Sequence, residues 1–409
     1  MVLALVLALF QLTSPDTTEA PPEAGVSVRS KQVGSGIEVN YRALLNSFVS
    51  SSKGFGVGVE AIVSNIGTAG TELRVSAEPA QRFGRYRASF FSGDPFAVPV
   101  YAGVSGEWTV NQVRGFYGVG PSSSRDNQVF ASLKEIEAGF RVGWYPFGAG
   151  RVLVQPAVRL LHAEVRSFRN RDDGAFQRLD PASQRSLFSA VERPSTGVTY
   201  GLEIAVDRRD RLFYSSRGVL GILTARRYDG IGGRRFNYWS GTASVYGFIP
   251  LPMHRHILFT RTVVALTRRI GDEPLPFYAL PLLDDQLLGA YTRYRFNGND
   301  LLALTLGWRF PVYTFLDWFA FDANVQVSAA NAYNNLFDQF EPGLSFSSDL
   351  SDEGRRVPLR PALSVGLRIV DLDEDRVIIG GQVGIDPEGY KFGSLRVVYG
   401  IRDVRPLVR

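Results

Sequence analysis

The sequence predicts an all-β chain, a transmembrane antiparallel β-barrel of about sixteen strands with short turns at one end and long loops at the other. Three observations carry this. Apolar and polar residues alternate in segment after segment from Ile37 to Ile401, the period of a strand with one apolar face. The chain has no run of about eighteen apolar residues, so no membrane-spanning helix is expected. Its aromatic content of 12%, with 28 Phe and 17 Tyr, is too high for a disordered chain, and a mean hydropathy of −0.03 suits a barrel whose lipid-facing residues are diluted by lumen and loops.

In chain order, residues 1–20 contain MVLALVLALFQLTS, an apolar run of secretory length that reads as a signal peptide, although it lacks a positive leading segment; a buried strand or helix is the other reading. Residues 21–36 read as a flexible linker, and 37–409 as the barrel. Alternation places strands near 37–48, 55–65, 69–79, 84–92, 99–112, 130–145, 151–166, 196–208, 217–229, 235–249, 255–269, 300–312, 316–330, 359–371, 375–387 and 393–403. The number is even, as closure requires, and closure leaves no edge to pair with another chain. Connections 66–68, 93–98, 146–150, 209–216, 250–254, 313–315 and 372–374 are short, whereas 113–129, 167–195, 270–299 and 331–358 are long. Short turns on the periplasmic side of a Gram-negative outer membrane and long loops outside put both termini in the periplasm.

The faces are legible strand by strand. Leu302, Leu304, Leu306, Trp308 and Phe310 point to lipid, and Leu301, Ala303, Thr305, Gly307 and Arg309 to the lumen. Val198, Tyr200, Leu202, Ile204 and Val206 oppose Thr199, Gly201, Glu203 and Asp207; Phe319, Phe321, Ala323, Val325 and Val327 oppose Asp322, Asn324, Gln326 and Ser328.

Just before the first of these strands the chain reads Leu288, Gly289, Ala290, Tyr291, Thr292, Arg293, Tyr294, Arg295, Phe296, and the strand ends Trp308, Arg309, Phe310, Pro311. This resembles the BamA/TamA-type outer-membrane barrel family, the bacterial surface antigen family, in which a lumen-entering loop of the form (L/V)-R-G-(F/Y)-x-x-x-R-F precedes a strand ending near Y-R-F-P. Tyr291, the Arg295–Phe296 pair and Arg309–Phe310–Pro311 match; Gly289 stands where the motif has Arg, and Gly307 where an acid is usual. Asp207 to Gly218, DRRDRLFYSSRG, is similar to the family turn D-x-R-D-x-x-F-x-P-x-R-G through Asp207, Arg209, Asp210, Arg217 and Gly218, with Ser in place of Pro. Phe116 to Ser124, FYGVGPSSS, is similar to the family's F-Y-G-x-G-x-x-(S/T) entry into an outer loop.

The resemblance implies that loop 270–299 folds into the lumen and braces the far wall, and that the seam between first and last strands is weak. It also implies a motif arginine reaching an acid on a later strand. With Gly289 in the motif position, Arg293 or Arg295 is expected to pair with Asp322, with Arg309 as a second lumen partner. The implied activity is insertion or export of proteins or lipids at the outer membrane, with outer-membrane lipid, client proteins and a separately encoded periplasmic component as partners. Family barrels usually carry N-terminal periplasmic modules or a patatin-type domain, and the approximately 35 residues before the first strand leave room for neither. A passive pore or structural barrel is the alternative.

Composition excludes other classes. Without cysteine there is no disulfide framework and no thiolate metal site. Of 45 basic residues four are Lys (Lys31, Lys53, Lys134, Lys391), leaving 41 Arg, whose planar fork suits a lumen lined with Arg and Asp/Glu; a codon bias explains the excess equally well. These arginines alternate with apolar residues and do not cluster, so no nucleic-acid partner is expected. No enzyme activity is expected: His162, His254 and His256 lack a Ser and acid in triad order, the basic turn PLPMHRHI reads as solvated, and His162 as a girdle or lumen position. No cofactor or metal is expected either. The turn Asp371, Asp373, Glu374, Asp375 could hold Ca²⁺ but reads as a solvated acidic turn, and Gly230 to Gly233 sits in a hairpin, not ahead of a helix.

Overall fold

A computed structural model describes residues 31–33, 37–50, 53–66, 70–92, 100–121, 123–146, 152–170, 174–191, 193–211, 214–233, 236–282, 291, 294–315, 319–347, 356–371, 376–387 and 389–398. The strands, in chain order, are β1 (Lys31–Val33), β2 (Ile37–Ser50), β3 (Gly54–Ser64), β4 (Glu72–Pro79), β5 (Phe83–Phe91), β6 (Val100–Phe116), β7 (Val129–Trp144), β8 (Val152–Asn170) and β9 (Ser195–Asp207). They continue with β10 (Gly218–Gly233), β11 (Asn237–Pro250), β12 (Ile257–Ile270), β13 (Asp300–Phe315), β14 (Phe319–Tyr333), β15 (Phe340–Leu344), β16 (Val357–Asp371), β17 (Arg376–Asp386) and β18 (Gly389–Val398). Helix α1 spans Pro181–Val191 and the one-turn α2 Leu336–Gln339.

Sixteen strands, β2 to β14 and β16 to β18, form the wall, each antiparallel to its neighbour, as the alternation predicts. β18 returns to β2 from Ser394↔Ser50 to Val398↔Asn46. That is five rungs against fifteen between β13 and β14, so among the described residues the two ends of the sheet meet over only part of the wall's height. Lys31–Val33, read as linker, folds back as β1 on Ile37–Val39; residues 1–30 lie outside the described residues.

The two faces separate by parity. Val104, Trp108, Ile136, Phe140, Trp144, Val158, Leu160, Leu202, Leu223, Leu304, Leu306 and Trp308 are exposed on the outside, as lipid-facing residues must be, while Leu301, Ala303, Thr305 and Arg309 are buried inside. Pro311, which has no N–H for the ladder, sits at the register shift between Pro311 and Tyr313 in β13.

Two loops hold elements that escape the alternation. The long loop 167–195 contains α1, whose buried residues are mostly serine and alanine, so its apolar stripe is faint. The loop 331–358 contains α2 and β15, and β15 runs parallel to β16.

Candidate functional site

The lumen is filled from its outer end by loops that the sequence treats as separate. Tyr291 and Phe296 pack edge-to-face, ring centroids 5.0 Å apart, against Val263, Ala265, Leu301, Ala303, Ala330, Ala332 and Ala362 on the inner faces of β12, β13, β14 and β16. Small wall residues leave the volume that these two rings occupy. Tyr291 and Phe296 of the 270–299 loop therefore lie inside the barrel against the wall; Gly289 and Arg293 fall outside the described residues.

Arg295 is only 1% exposed and reaches the neighbouring outer loop, donating from Nη1 to Ser123 Oγ (2.9 Å) and from Nη2 to the Ser123 carbonyl (2.8 Å). Arg360, at the outer end of β16, donates to the carbonyls of Pro121 (2.8 Å) and Ser123 (3.3 Å), and its own carbonyl accepts the Tyr291 hydroxyl. The Arg295 guanidinium also lies 5.4 Å from the ring centres of both Tyr117 and Phe296. Carbonyl lone pairs and ring faces together solvate a buried cation. Ser123 and Tyr117 belong to the FYGVGPSSS segment, so two of the motifs meet in one cluster. Gly120 makes the crossing possible: it has φ +84°, its N–H donates to the Asn297 carbonyl (2.7 Å), and a Cβ there would lie 2.7 Å from Asn334 Oδ1.

Helix α1 completes this plug. Asp180 caps it, its Oδ1 accepting from the N–H groups of Ala182 and Ser183 at 2.9 Å. Leu187 and Ala190 pack with Phe116 and Phe277 on the inner wall at Val129, Ala131, Leu133, Ala163 and Val165. Ser183 Oγ accepts from the Val119 N–H (2.7 Å), and Ser186 donates to the Leu275 carbonyl (2.8 Å).

At the end of the barrel that carries the short turns, DRRDRLFYSSRG is more than a connection. Arg209 grips Asp207 with two parallel bonds, Nε to Oδ1 (2.9 Å) and Nη2 to Oδ2 (2.7 Å). Asp210 Oδ1 accepts the N–H groups of Ser216 (2.9 Å) and Arg217 (3.0 Å). Burial works to raise the Asp210 pKa, but the bonds from the Ser216 hydroxyl and these two amides prevail and hold it below the usual carboxylate range. Gly218 closes the turn at φ +108°, where a Cβ would come within 2.1 Å of the Arg208 carbonyl oxygen.

This geometry projects Tyr214 against Ala320 and Val370 on the inner wall of β14 and β16. Its hydroxyl donates to the Asp322 carboxylate, and burial, followed by that negative charge, pushes the phenol's pKa well up. Arg309 lies 3.7 Å from the Tyr214 ring centre and donates to the Ser215 carbonyl (2.5 Å). Asp322, 1% exposed, takes its cation from the neighbouring turn: Arg255 Nη2 lies 3.1 Å from both carboxylate oxygens.

The expected partnership of Asp322 with Arg295 is therefore incorrect. Loop 270–299 enters at the Asp300↔Tyr333 rung, and Asp322 lies eleven residues further down β14, about 36 Å away at ~3.3 Å per residue. Arg255, hidden in the turn read as solvated, has φ +59°, a rare conformation for a non-glycine residue that aims its side chain at Asp322. Neither Arg255 nor Arg360 carried a sequence signal.

The remaining lumen, on β5 to β8, carries a charge ladder. Glu107 accepts Arg87 (Nη2 2.6 Å) and Arg85 (3.1 Å), and Glu137 accepts Arg159 (3.1 Å), around a recess also lined by Ser105, Gly139 and Arg141. These arginines face inward as a polar lining requires. His162 lies on the outer face, Nδ1 2.8 Å from Thr196 Oγ1; His256 stacks near Trp308 and Phe310; the acidic turn 372–375 lies outside the described residues.

A transmembrane antiparallel barrel with an inward-folded loop and, among the described residues, a first-to-last seam of five rungs defines the class. Compared by sequence, the chain matches no family model and no curated protein. Compared by structure, it is similar to BamA from Haemophilus ducreyi lacking POTRA domains 1–3, with a TM-score of 0.64 and 12% identity over 92% of this chain and 75% of that one. It is similar to CdiB from Escherichia coli, TM-score 0.52 and 12% identity, over 93% of this chain and 68% of that one. CdiB from Acinetobacter baumannii aligns at TM-score 0.47 and 12% identity over 88% of this chain and 60% of that one. At such identities the likeness is one of fold: the chain is a BamA-like β-barrel.

Proposed function

We propose that this barrel sits in a bacterial outer membrane and inserts or exports a protein or lipid client through the seam between β2 and β18, by non-covalent means and without a cofactor. The observation that carries this is the five-rung seam, beside a lumen whose outer end is filled by loops and whose periplasmic end is crossed by Tyr214. Breaking a few rungs is the least costly way to expose paired backbone to a client strand, because among the described residues every other junction of the wall has more rungs. A separately encoded periplasmic component would deliver the client, and outer-membrane lipid would be the medium that receives it.

The passive-barrel reading has its own support. At Gly307 a Cβ would lie 2.1 Å from the Phe259 ring, so the space where the resembled family has an acid is filled by an aromatic side chain.

Ser47 and Val397 are register partners across the seam, and a cysteine at each should form an intramolecular disulfide, since the chain has no other cysteine. Oxidation of that double variant is expected to abolish client insertion into proteoliposomes, and reduction to restore it. Full activity of the oxidised form would favour the passive barrel.

A further inference from the structure

The loop between β14 and β16 carries a surface that the transport reading does not use. β14 and β16 pair only as far as Ala330↔Arg360; beyond that, Val357 to Leu359 pair with β15, and Ser345 N–H donates to the Leu359 carbonyl (2.9 Å). Residues 335–346 thus form a strap on the outside of the wall. Its under-face, Leu336 and Phe340, packs with Tyr333, Val264, Leu266 and Leu302, the last being a lipid-facing position of β13. Its upper face presents Phe337 (75% exposed), Leu344 (54%) and Phe346 (76%), and the two phenylalanines are the most exposed large apolar side chains among the described residues.

Register places the strap beside an outward row of aromatic and basic side chains. Tyr200↔Arg227, Arg227↔Trp239 and Trp239↔Arg268 make one outward-facing row across β9 to β12. Tyr200 and Trp239 are exposed, and Arg227 sits 5.4 Å from the Trp239 ring centre. Aromatic and arginine side chains in a row round a barrel mark the membrane–water boundary. Arg268 ends the row by donating to Asp300 (Nη2 to Oδ2, 2.9 Å), and the same carboxylate oxygen accepts the Leu336 N–H of the strap at 2.8 Å. Asp300 has the parity of a lipid-facing residue yet is fully buried, because the strap covers it. The strap is therefore fixed at the ends of β12 and β13, over Leu302 and two residues along from the exposed, lipid-facing Leu304.

We infer that the strap is a membrane anchor, inserting Phe337, Leu344 and Phe346 among the acyl chains just below the outer headgroups. Phenylalanine has no polar atom to satisfy in water, and a surface of this kind continuous with the belt is completed by lipid. This rests on the barrel's lipid-facing belt and not on client transport. Its consequence is that the gap between β14 and β16 is closed from the lipid side.

Because the chain has no cysteine, single nitroxide labels can be placed at Phe337→Cys, Leu344→Cys and Phe346→Cys in the full chain, reconstituted into phosphatidylethanolamine/phosphatidylglycerol vesicles. Leu306→Cys serves as the lipid-facing reference and Glu273→Cys, on an exposed outer loop, as the aqueous one. All three strap labels are expected to relax with oxygen in preference to a water-soluble nickel chelate, as at Leu306, with the order reversed at Glu273. Nickel-dominated relaxation at 337 and 346 beside an oxygen-dominated Leu306 would overturn the anchor and leave the strap to water or a protein partner. Nickel-dominated relaxation at Leu306 as well would overturn the belt and the anchor with it.

Discussion

Asp322→Asn is expected to lower the temperature at which the folded form loses its anomalous gel mobility, and to do so more than any single substitution on the lipid face. The carboxylate is the acid that joins Tyr214, from the β9–β10 turn, to Arg255, from the β11–β12 turn, with Arg309 stacked on the same ring and Arg368 opposite it in register. Removing one side of a buried pair leaves the other charge uncompensated, at about 3–5 kcal/mol; Arg255 keeps some contact with water, which places the loss at the lower end. Arg309 and Arg368 would then face Arg255 with no acid between them, so the turn should lift from the wall and admit water at the periplasmic end. A double-mutant cycle identifies the partner. Asp322 and Arg255 should couple by more than about 1 kcal/mol and Asp322 and Arg295 by almost nothing, because groups far apart add independently. Coupling to Arg295 would restore the pairing that the family resemblance implies.

Arg295→Ala should have the second-largest effect, at the other end. The substitution deletes the hydrogen bonds to the Ser123 hydroxyl and carbonyl and two ring contacts, and leaves the buried Ser123 carbonyl to Arg360 alone. A charged hydrogen bond of this kind is worth about 1.5–3 kcal/mol, and because the Ser123 carbonyl keeps a donor the loss is nearer one such bond than two. Since Arg360 still holds the Pro121 and Ser123 carbonyls, the barrel should stay folded while the loop 270–299 loosens from the FYGVGPSSS loop. In planar bilayers the variant should open more often and to higher conductance than the parent. A variant with parental opening frequency would show that α1 and the other outer loops seal the lumen without Arg295.

The wall was legible because each strand carries its instruction locally: parity alone placed Leu304, Leu306 and Trp308 outside and Thr305 and Arg309 inside. Tyr291 and Phe296 were legible through a motif, which encodes a loop's destination when no periodicity does. Asp322 was picked out as an inward acid, but its partner was not, because ion pairs between loops depend on where two turns meet in space. Arg255 and Asp322 are 67 residues apart, and nothing in either segment refers to the other. Helix α1 was missed for a related reason. It meets the lumen with Ser183 and Ser186, whose hydroxyls find the Val119 amide and the Leu275 carbonyl of other loops, and with Ser189, which bonds back to the Ser186 carbonyl, so the face that decides its position looks polar in sequence. The strap was missed because β15 pairs parallel across a long loop, a register that no hairpin signal announces.

The central claim is that this barrel is plugged, with its weak line at the seam and not along its axis. Single-channel recording of the purified wild-type protein in planar bilayers tests it most directly. A lumen filled by Tyr291, Phe296, Arg295 and α1 predicts a low, flickering conductance with brief openings as loops fluctuate. Steady ohmic steps of a size fitting an open sixteen-stranded lumen would contradict it, and would make the charged recess along β5 to β8 the path of a passive pore.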